Sequence, residues 1–220
     1  MFDQTTIEKD KSQHLFHVLE EHYGWFDWWP TENAFEIMMG AILVQNTNWR
    51  NADKALDNLG RGITPNEIEI MEHDELAQKI RSSGYYNQKA IKLKALIKWF
   101  KKYDYDIEKV RQQGLGHLRK ELLAVRGIGR ETADVILTYA IGKPSFVIDA
   151  YARRIASRFG IEVPKSYENF RKLMQQAFPK SKDKYGYYHG LMVEHGGRYC
   201  NPKPKCEECP IAQHCQQNIE

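Results

Sequence analysis

The chain has 220 residues, 28% of them charged and 12% aromatic, with a formal net charge of +3. That length builds one large or two small domains around a sizeable core. No stretch approaches 18 uninterrupted apolar residues, no low-complexity tract or repeat is visible, and the N-terminus MFDQTTIEKDKSQ lacks a signal-peptide core. A membrane partner is therefore not expected, and the expected location is cytoplasmic, or nucleoid-associated in a bacterium. Charge is unevenly placed: residues 1–80 carry 6 basic and 15 acidic side chains, which leaves +12 on residues 81–220. A basic part of this kind suits a phosphate backbone, although a solvated charge pattern produces the same asymmetry.

In chain order, residues 6–23 read as a helix with Ile7, Leu15, Val18 and Leu19 on one side, ended by Gly24. WFDWWP follows at 25–30, three tryptophans in six residues. Such a cluster packs a core or makes a stacking wall for an unpaired base, because aromatic faces hold bases without sequence readout. Thr31 is placed to cap a helix over 32–44 whose segment AFEIMMGAILV is apolar nearly all round, so it belongs in the middle of a bundle. Gln45, Asn46 and Thr47 make a polar tip on that buried helix, and Trp49 supplies a second aromatic face. Thr64-Pro65-Asn66-Glu67 is a capping box with proline at the first helical position. Gly84 stops one helix and Asn87 starts a long one, on which Lys89, Lys92, Lys94 and Lys98 read as the solvated face. A shorter helix leads from Asp106 to Gly114, and another covers 115–124. No run shows sustained period-2 alternation, so the expected fold is all-α.

Residues 122–141 read as helix, tight turn, helix. Gly127 and Gly129 flank Ile128 where the chain needs positive φ or a backbone that comes close to something. Arg126 and Arg130 flank a helix N-terminus, where the dipole favours an anion such as phosphate. An ordinary turn with solvated arginines is the plainer alternative. Gly142 and Pro144 then stop the helix, and Phe146-Val147-Ile148 delivers Asp149 to the N-cap of a helix over 150–159. That position holds a carboxylate rigidly. Ser166 caps a helix through Phe178, and another runs from about 183 to 198. All four cysteines follow, as C-x5-C-x2-C-x5-C at Cys200, Cys206, Cys209 and Cys215. Four thiols in 16 residues point to a metal centre rather than disulfides, with zinc the generic occupant.

GIGRETA at 127–133, followed by VIDAYARRI at 147–155, resembles the helix-hairpin-helix DNA glycosylases of the endonuclease III type. The resemblance spans about residues 25–215. It implies a two-lobed all-α fold: a six-helix, barrel-like bundle over 27–143, and a second lobe of 1–26 with 144–220 that ends in the cysteine loop 200–215. It implies base excision by a monomer on double-stranded DNA, in which a damaged base is flipped out and its N-glycosidic bond hydrolysed. By the same likeness the cysteines hold a [4Fe–4S] cluster, and the carbonyls of Leu123, Val125 and Ile128 hold a monovalent or divalent cation. DNA would cross a cleft with the hairpin (Arg126, Gly127, Gly129, Arg130, Thr132) on one side and Gln45, the wedge that fills the flipped base's gap, on the other. Lys203 and Lys205 would add phosphate contacts. The first cysteine gap is five residues where the family usually has six, which affects the shape of that loop.

The larger departure is Glu131. Bifunctional members carry at this place a lysine whose amine forms a Schiff base with the sugar and leads to strand cleavage. Glutamate forms no imine, so the resemblance implies a monofunctional route in which Asp149 stabilises an oxocarbenium-like sugar and orients or deprotonates water. Glu131 would assist through a charge-assisted contact, or serve only as a first-turn acid on the helix dipole. With WWP at 28–30, QNTNW at 45–49 and SGYYNQKA at 83–90, the chain looks like the 3-methyladenine DNA glycosylase branch. Trp28, Trp29, Pro30 and Trp49 would form the pocket, which suits a cationic alkylated base through cation–π contact. The competing readings are a glycosylase for oxidised or mismatched pyrimidines, and a non-catalytic DNA-binding or redox-sensing iron–sulfur protein.

Overall fold

The computed structural model describes residues 4–219 apart from residue 30. Every regular element among the described residues is helical. The chain divides into two compact units: Trp29–Lys143 forms the central unit, while the chain up to Trp28 joins Pro144 onward in the terminal unit. The division falls inside WFDWWP, between Trp28 and Trp29, rather than at residue 27.

Helix α1 (Gln4–Tyr23) buries Leu15, Phe16, Val18 and Leu19 in the terminal unit. The chain then enters the central unit, where α2 (Ala34–Leu43) has Phe35 through Leu43 all buried. Its N-cap is Asn33, not Thr31: Asn33 Oδ1 accepts from the N–H groups of Phe35 (3.0 Å) and Glu36 (3.1 Å). Thr31 Oγ1 instead accepts from the Asn33 N–H. Helix α2 packs against α3 (Trp49–Leu59) and α6 (Tyr86–Lys101), and α6 in turn carries α4 (Pro65–Ile70), whose Thr64/Glu67 capping box is formed, and α5 (His73–Lys79). Then come α7 (Ile107–Arg111), α8 (Leu115–Ala124) and α9 (Arg130–Val135). A π-helical turn, Ile136–Ala140, extends α9, with the Ile141 N–H donating to the Ile136 carbonyl five residues back.

The lysines of α6 correct the expectation of a solvated face. Lys89 is 1% exposed, and its ammonium donates to the carbonyls of Leu43 (2.8 Å) and Ser83 (2.6 Å). It thereby serves the carbonyl end of α2, where the helix dipole favours a cation. Lys92 reaches Gln45, and Lys94 donates to the carbonyls of Glu69 and Met71. Of these four, only Lys98 is exposed. Long stems let these ammonium groups reach carbonyls that the apolar face leaves unpaired, which spacing alone does not reveal.

In the terminal unit α10 (Ala150–Phe159), α11 (Tyr167–Ala177) and α12 (Lys182–Arg198) complete the core with α1. Phe16 stacks on Tyr188 at 4.2 Å between ring centroids, with Phe146, Phe170 and Met174 buried nearby. Two short 3-10 turns, Cys206–Glu208 and Ala212–His214, shape the loop beyond α12.

Candidate functional site

The hairpin is the turn from α8 to α9. The Ile128 N–H closes it on the Val125 carbonyl at 3.1 Å. Its two glycines serve different ends. Gly127 sits at φ +86°, and a Cβ there would lie 2.3–2.8 Å from the Cγ, Cδ and Cε of Lys92. Gly129 is extended (φ −88°, ψ −177°), and its missing Cβ would meet nothing within 4 Å. Any residue could adopt that backbone, so the absent side chain matters only to something arriving from outside. Arg126, Arg130 and Glu131 are exposed, whereas Thr132 is 8% exposed and turned inward.

Gln45 lies on the hairpin. Its Nε2 donates to the Gly127 carbonyl (3.1 Å) and to Thr132 Oγ1 (2.9 Å), while Oε1 accepts from Lys92 Nζ (2.6 Å). In this structure Gln45 therefore stands beside the hairpin, and the Thr132 hydroxyl is turned toward it. The polar side chains of both satisfy each other, because each is half-buried or buried and needs a partner. Behind them Arg119 forks onto Asp134, Nε–Oδ1 2.8 Å and Nη2–Oδ2 3.1 Å, tying α8 to α9 with a carboxylate that is 0% exposed. Sequence reasoning missed Lys92, Arg119 and Asp134. An (i, i+15) charge pair across a turn carries no local signature.

The aromatic residues divide between the units. In the central unit Trp29 meets Trp49 edge-on at 5.2 Å and Tyr139 at 5.0 Å. Both indoles lie over Gly40 of α2, where an added Cβ would stand in ordinary contact with each at 3.4 Å. Trp29 Nε1 is buried and has no hydrogen-bond partner among the described residues. Trp28 belongs to the terminal unit, where its Cβ and ring press on Gly190 of α12 and Phe26 stands at 6.4 Å. Pro30 lies outside the described residues. Tyr139 was not anticipated from the sequence, because it sits in the π turn, which re-aims side chains off the helical register.

Asp149 is the N-cap of α10 and is 8% exposed. Its Oδ1 accepts from the Ala152 N–H at 2.7 Å, and its Oδ2 stands 3.6 Å from His189 Nε2. The buried run Phe146–Ile148 fixes its approach. The carboxylate is thus held by the backbone on one oxygen and faced by a buried imidazole on the other. His189 was missed. Its only sequence signal is a polar residue within the buried stretch Tyr185–Met192.

Cys200, Cys206, Cys209 and Cys215 all line one cavity. Ile155, Phe159 and Ile211 make its apolar wall. Burial pushes the Cys209 and Cys215 thiols up, and the neighbouring cysteines push them further. His195 is lowered to about 4 by burial first and His22 second, so it stands neutral between Tyr23 Oη (3.1 Å) and Cys209 Sγ (3.6 Å). The five-residue first loop is held by Lys205 N–H on the Tyr199 carbonyl (2.9 Å) and by two arginines of α10. Arg154 Nε donates to the Cys200 carbonyl at 2.6 Å, and Arg158 contacts Cys200, Asn201 and Pro202. Lys203 and Lys205 are exposed. Among the described residues, no three Cys, His, Asp or Glu side chains converge on a single ion. Four sulfurs around a shared cavity fit a polynuclear centre held by thiolates.

A provisionally named DNA repair glycosylase of Methanocaldococcus jannaschii is 38% identical over 206 residues, covering 91% of this chain and 94% of the relative. The endonuclease III of Thermotoga maritima is 31% identical over 84% of this chain and 83% of its own length. The crystal structure of the H. pylori 3-methyladenine DNA glycosylase MagIII, bound to 1,N6-ethenoadenine, superposes with a TM-score of 0.72 at 29% identity, over 90% of this chain and 98% of that one. Residues 39–180 match the HhH-GPD superfamily, described as base excision DNA repair proteins, and the chain belongs to that superfamily.

Proposed function

We propose that this base excision glycosylase is monofunctional and removes alkylated bases such as 3-methyladenine. The observation that carries the reading is a rigidly held carboxylate at Asp149, and the sequence itself has Glu131 where an amine would be needed for lyase chemistry. In this reading Asp149 opposes the positive charge that develops on the sugar as the glycosidic bond breaks, and it orients the attacking water. The flipped base stacks against Trp29 and Trp49, with Tyr139 as a third wall. Because these rings touch one another in the DNA-free protein, entry of a base requires them to part. The H. pylori 3-methyladenine glycosylase likeness supports the substrate class. Gly129 offers a backbone free of side chain to a phosphate, beside Arg126 and Arg130. The carbonyls of Leu123, Val125 and Ile128 are proposed to hold a cation there.

We propose likewise that Cys200, Cys206, Cys209 and Cys215 hold a [4Fe–4S] cluster. When bound, the cluster supplies cross-linking of the loop rather than chemistry on the base. Lys203 and Lys205 on that loop are proposed phosphate contacts.

Duplexes carrying one lesion each, incubated with the protein and then heated in alkali, test the reading. Release of 3-methyladenine with breaks only after alkali, and no borohydride-trapped complex, supports it. One observation favours a second reading. Lys92 lies along Gly127 with its ammonium on Gln45, so a lysine does stand at the hairpin. Trapping that disappears in Lys92→Met, with oxidised pyrimidines as the substrates, would establish a bifunctional enzyme of the endonuclease III kind instead.

A further inference from the structure

Resting on the cluster reading above, we infer that Arg158 sets the redox potential of the cysteine-held centre and does more than tether its loop. Arg158 lies in the last turn of α10 and borders the cavity. Its Nη1 stands 3.4 Å from Cys200 Sγ and 2.8 Å from the Asn201 carbonyl, and its Nη2 is 3.3 Å from the Pro202 carbonyl. Its own carbonyl accepts from Cys215 Sγ at 3.2 Å and from the Asn218 N–H at 3.2 Å. The guanidinium thus donates to the sulfur of Cys200, whereas the Cys215 contact is a thiol S–H donation that a thiolate ligand no longer makes.

No carboxylate pairs with Arg158 among the described residues, so its charge is not cancelled locally. The guanidinium cannot deprotonate, and its planar fork spans the sulfur and the carbonyls together. Adding an electron to a thiolate-ligated cluster makes it more negative. A fixed cation and an N–H···S contact favour that reduced form more than the oxidised one, which raises the potential. Arg154 provides the contrast on the same helix. Its Nε meets the Cys200 carbonyl, and its guanidinium lies over the Tyr151 ring at 5.1 Å, away from sulfur. Arg154 shapes the loop, and Arg158 also charges it.

The test is anaerobic spectroelectrochemistry on wild type, Arg158→Gln, Arg158→Lys and Arg154→Gln, with iron content and visible absorption measured on each. Arg158→Gln should keep its iron and lower the potential. At the wild-type midpoint its ratio of oxidised to reduced centre should rise at least tenfold, which is 59 mV for one electron. Arg158→Lys should shift less but in the same direction, since a compact ammonium cannot hold the Asn201 carbonyl and the sulfur at once. Arg154→Gln should stay within threefold of wild type. The inference is overturned by an Arg158→Gln centre at wild-type potential, or by Arg154→Gln shifting as far. If Arg158→Gln fails to retain iron, a lysine variant at wild-type potential overturns it alone. A wild-type protein without iron would refute the cluster reading itself, which the metal analysis shows before any potential is measured.

Discussion

The hairpin turn and the cysteine loop are held in opposite ways. The hairpin is held by the chain itself: Gln45, Lys92 and Thr132 satisfy one another and the Gly127 carbonyl, and the Arg119–Asp134 fork locks the helices behind it. The cysteine loop has its backbone pinned by Arg154 and Arg158, but its four thiols face a shared cavity. A surface that must meet a rigid, repeating anion benefits from being built in advance, because ordering then costs nothing at the moment of binding. A loop that wraps an inorganic centre leaves its last cross-links to that centre.

The largest effect should come from breaking the cysteine loop. Cys206→Ser removes one ligand, and the loss should appear in visible absorption, iron content and stability together, with a fall in Tm of more than about 10 °C. A variant that loses iron yet melts with the wild type would mean that the loop holds itself, as the hairpin does, and the contrast would collapse. Next in size is Asp149→Asn. Asparagine still caps α10, so binding to a lesion duplex should be kept while single-turnover base release falls roughly 10²-fold or more. Comparable loss of binding would show that the carboxylate serves the helix rather than the chemistry.

The two hairpin glycines sharpen the comparison further. Gly127→Ala meets a left-handed backbone and the stem of Lys92, so it should cost about 1–2 kcal/mol of stability or more, measured by urea unfolding. Gly129→Ala should leave stability within about 0.5 kcal/mol, yet weaken binding to damaged and undamaged duplex alike, because the added methyl group holds the hairpin off the phosphate backbone that both duplexes share. If Gly129→Ala weakens only lesion DNA, the hairpin reads the base.

How far the sequence reveals this molecule depends on the range of each interaction. The all-helical fold, the boundaries of α8 and α10, the Thr64 box and the capping by Asp149 are local, and spacing shows them. The family follows from GIGRETA and VIDAYARRI for the same reason. Thr31 was misjudged as the cap of α2 because two candidate caps stand two residues apart and only geometry chooses between them. The hairpin contacts of Gln45 and Lys92 and the places of Tyr139 and His189 are not legible in the sequence, because each takes its meaning from a partner that is distant in sequence or from an irregular turn. The separation of Trp28 from Trp29 is the extreme case: adjacent residues of one motif belong to different units.

A last test lies inside the central unit, at the carbonyl end of α2. Lys89 is buried beneath α2, and burial first, with Lys92 second, lowers it to about 8. Its ordinary value in the unfolded chain is near 10.4, so between about pH 8 and pH 10.4 the unfolded state binds the extra proton. Stability then rises with pH across that window, by up to about 1.4 kcal/mol per pH unit from this group, and below pH 8 the full penalty of a buried charge is present. A neutral amine still has two N–H groups for the Leu43 and Ser83 carbonyls, so the contacts persist while the charge goes. Urea unfolding of wild type and Lys89→Met from pH 7 to pH 10 measures this. The wild type should gain on the variant as pH rises, although Lys89→Met is less stable throughout because it strands both carbonyls. Parallel pH curves would mean that Lys89 keeps an ordinary ammonium in the fold, and the carbonyl end of α2 would then be a true cation site rather than a tolerated one.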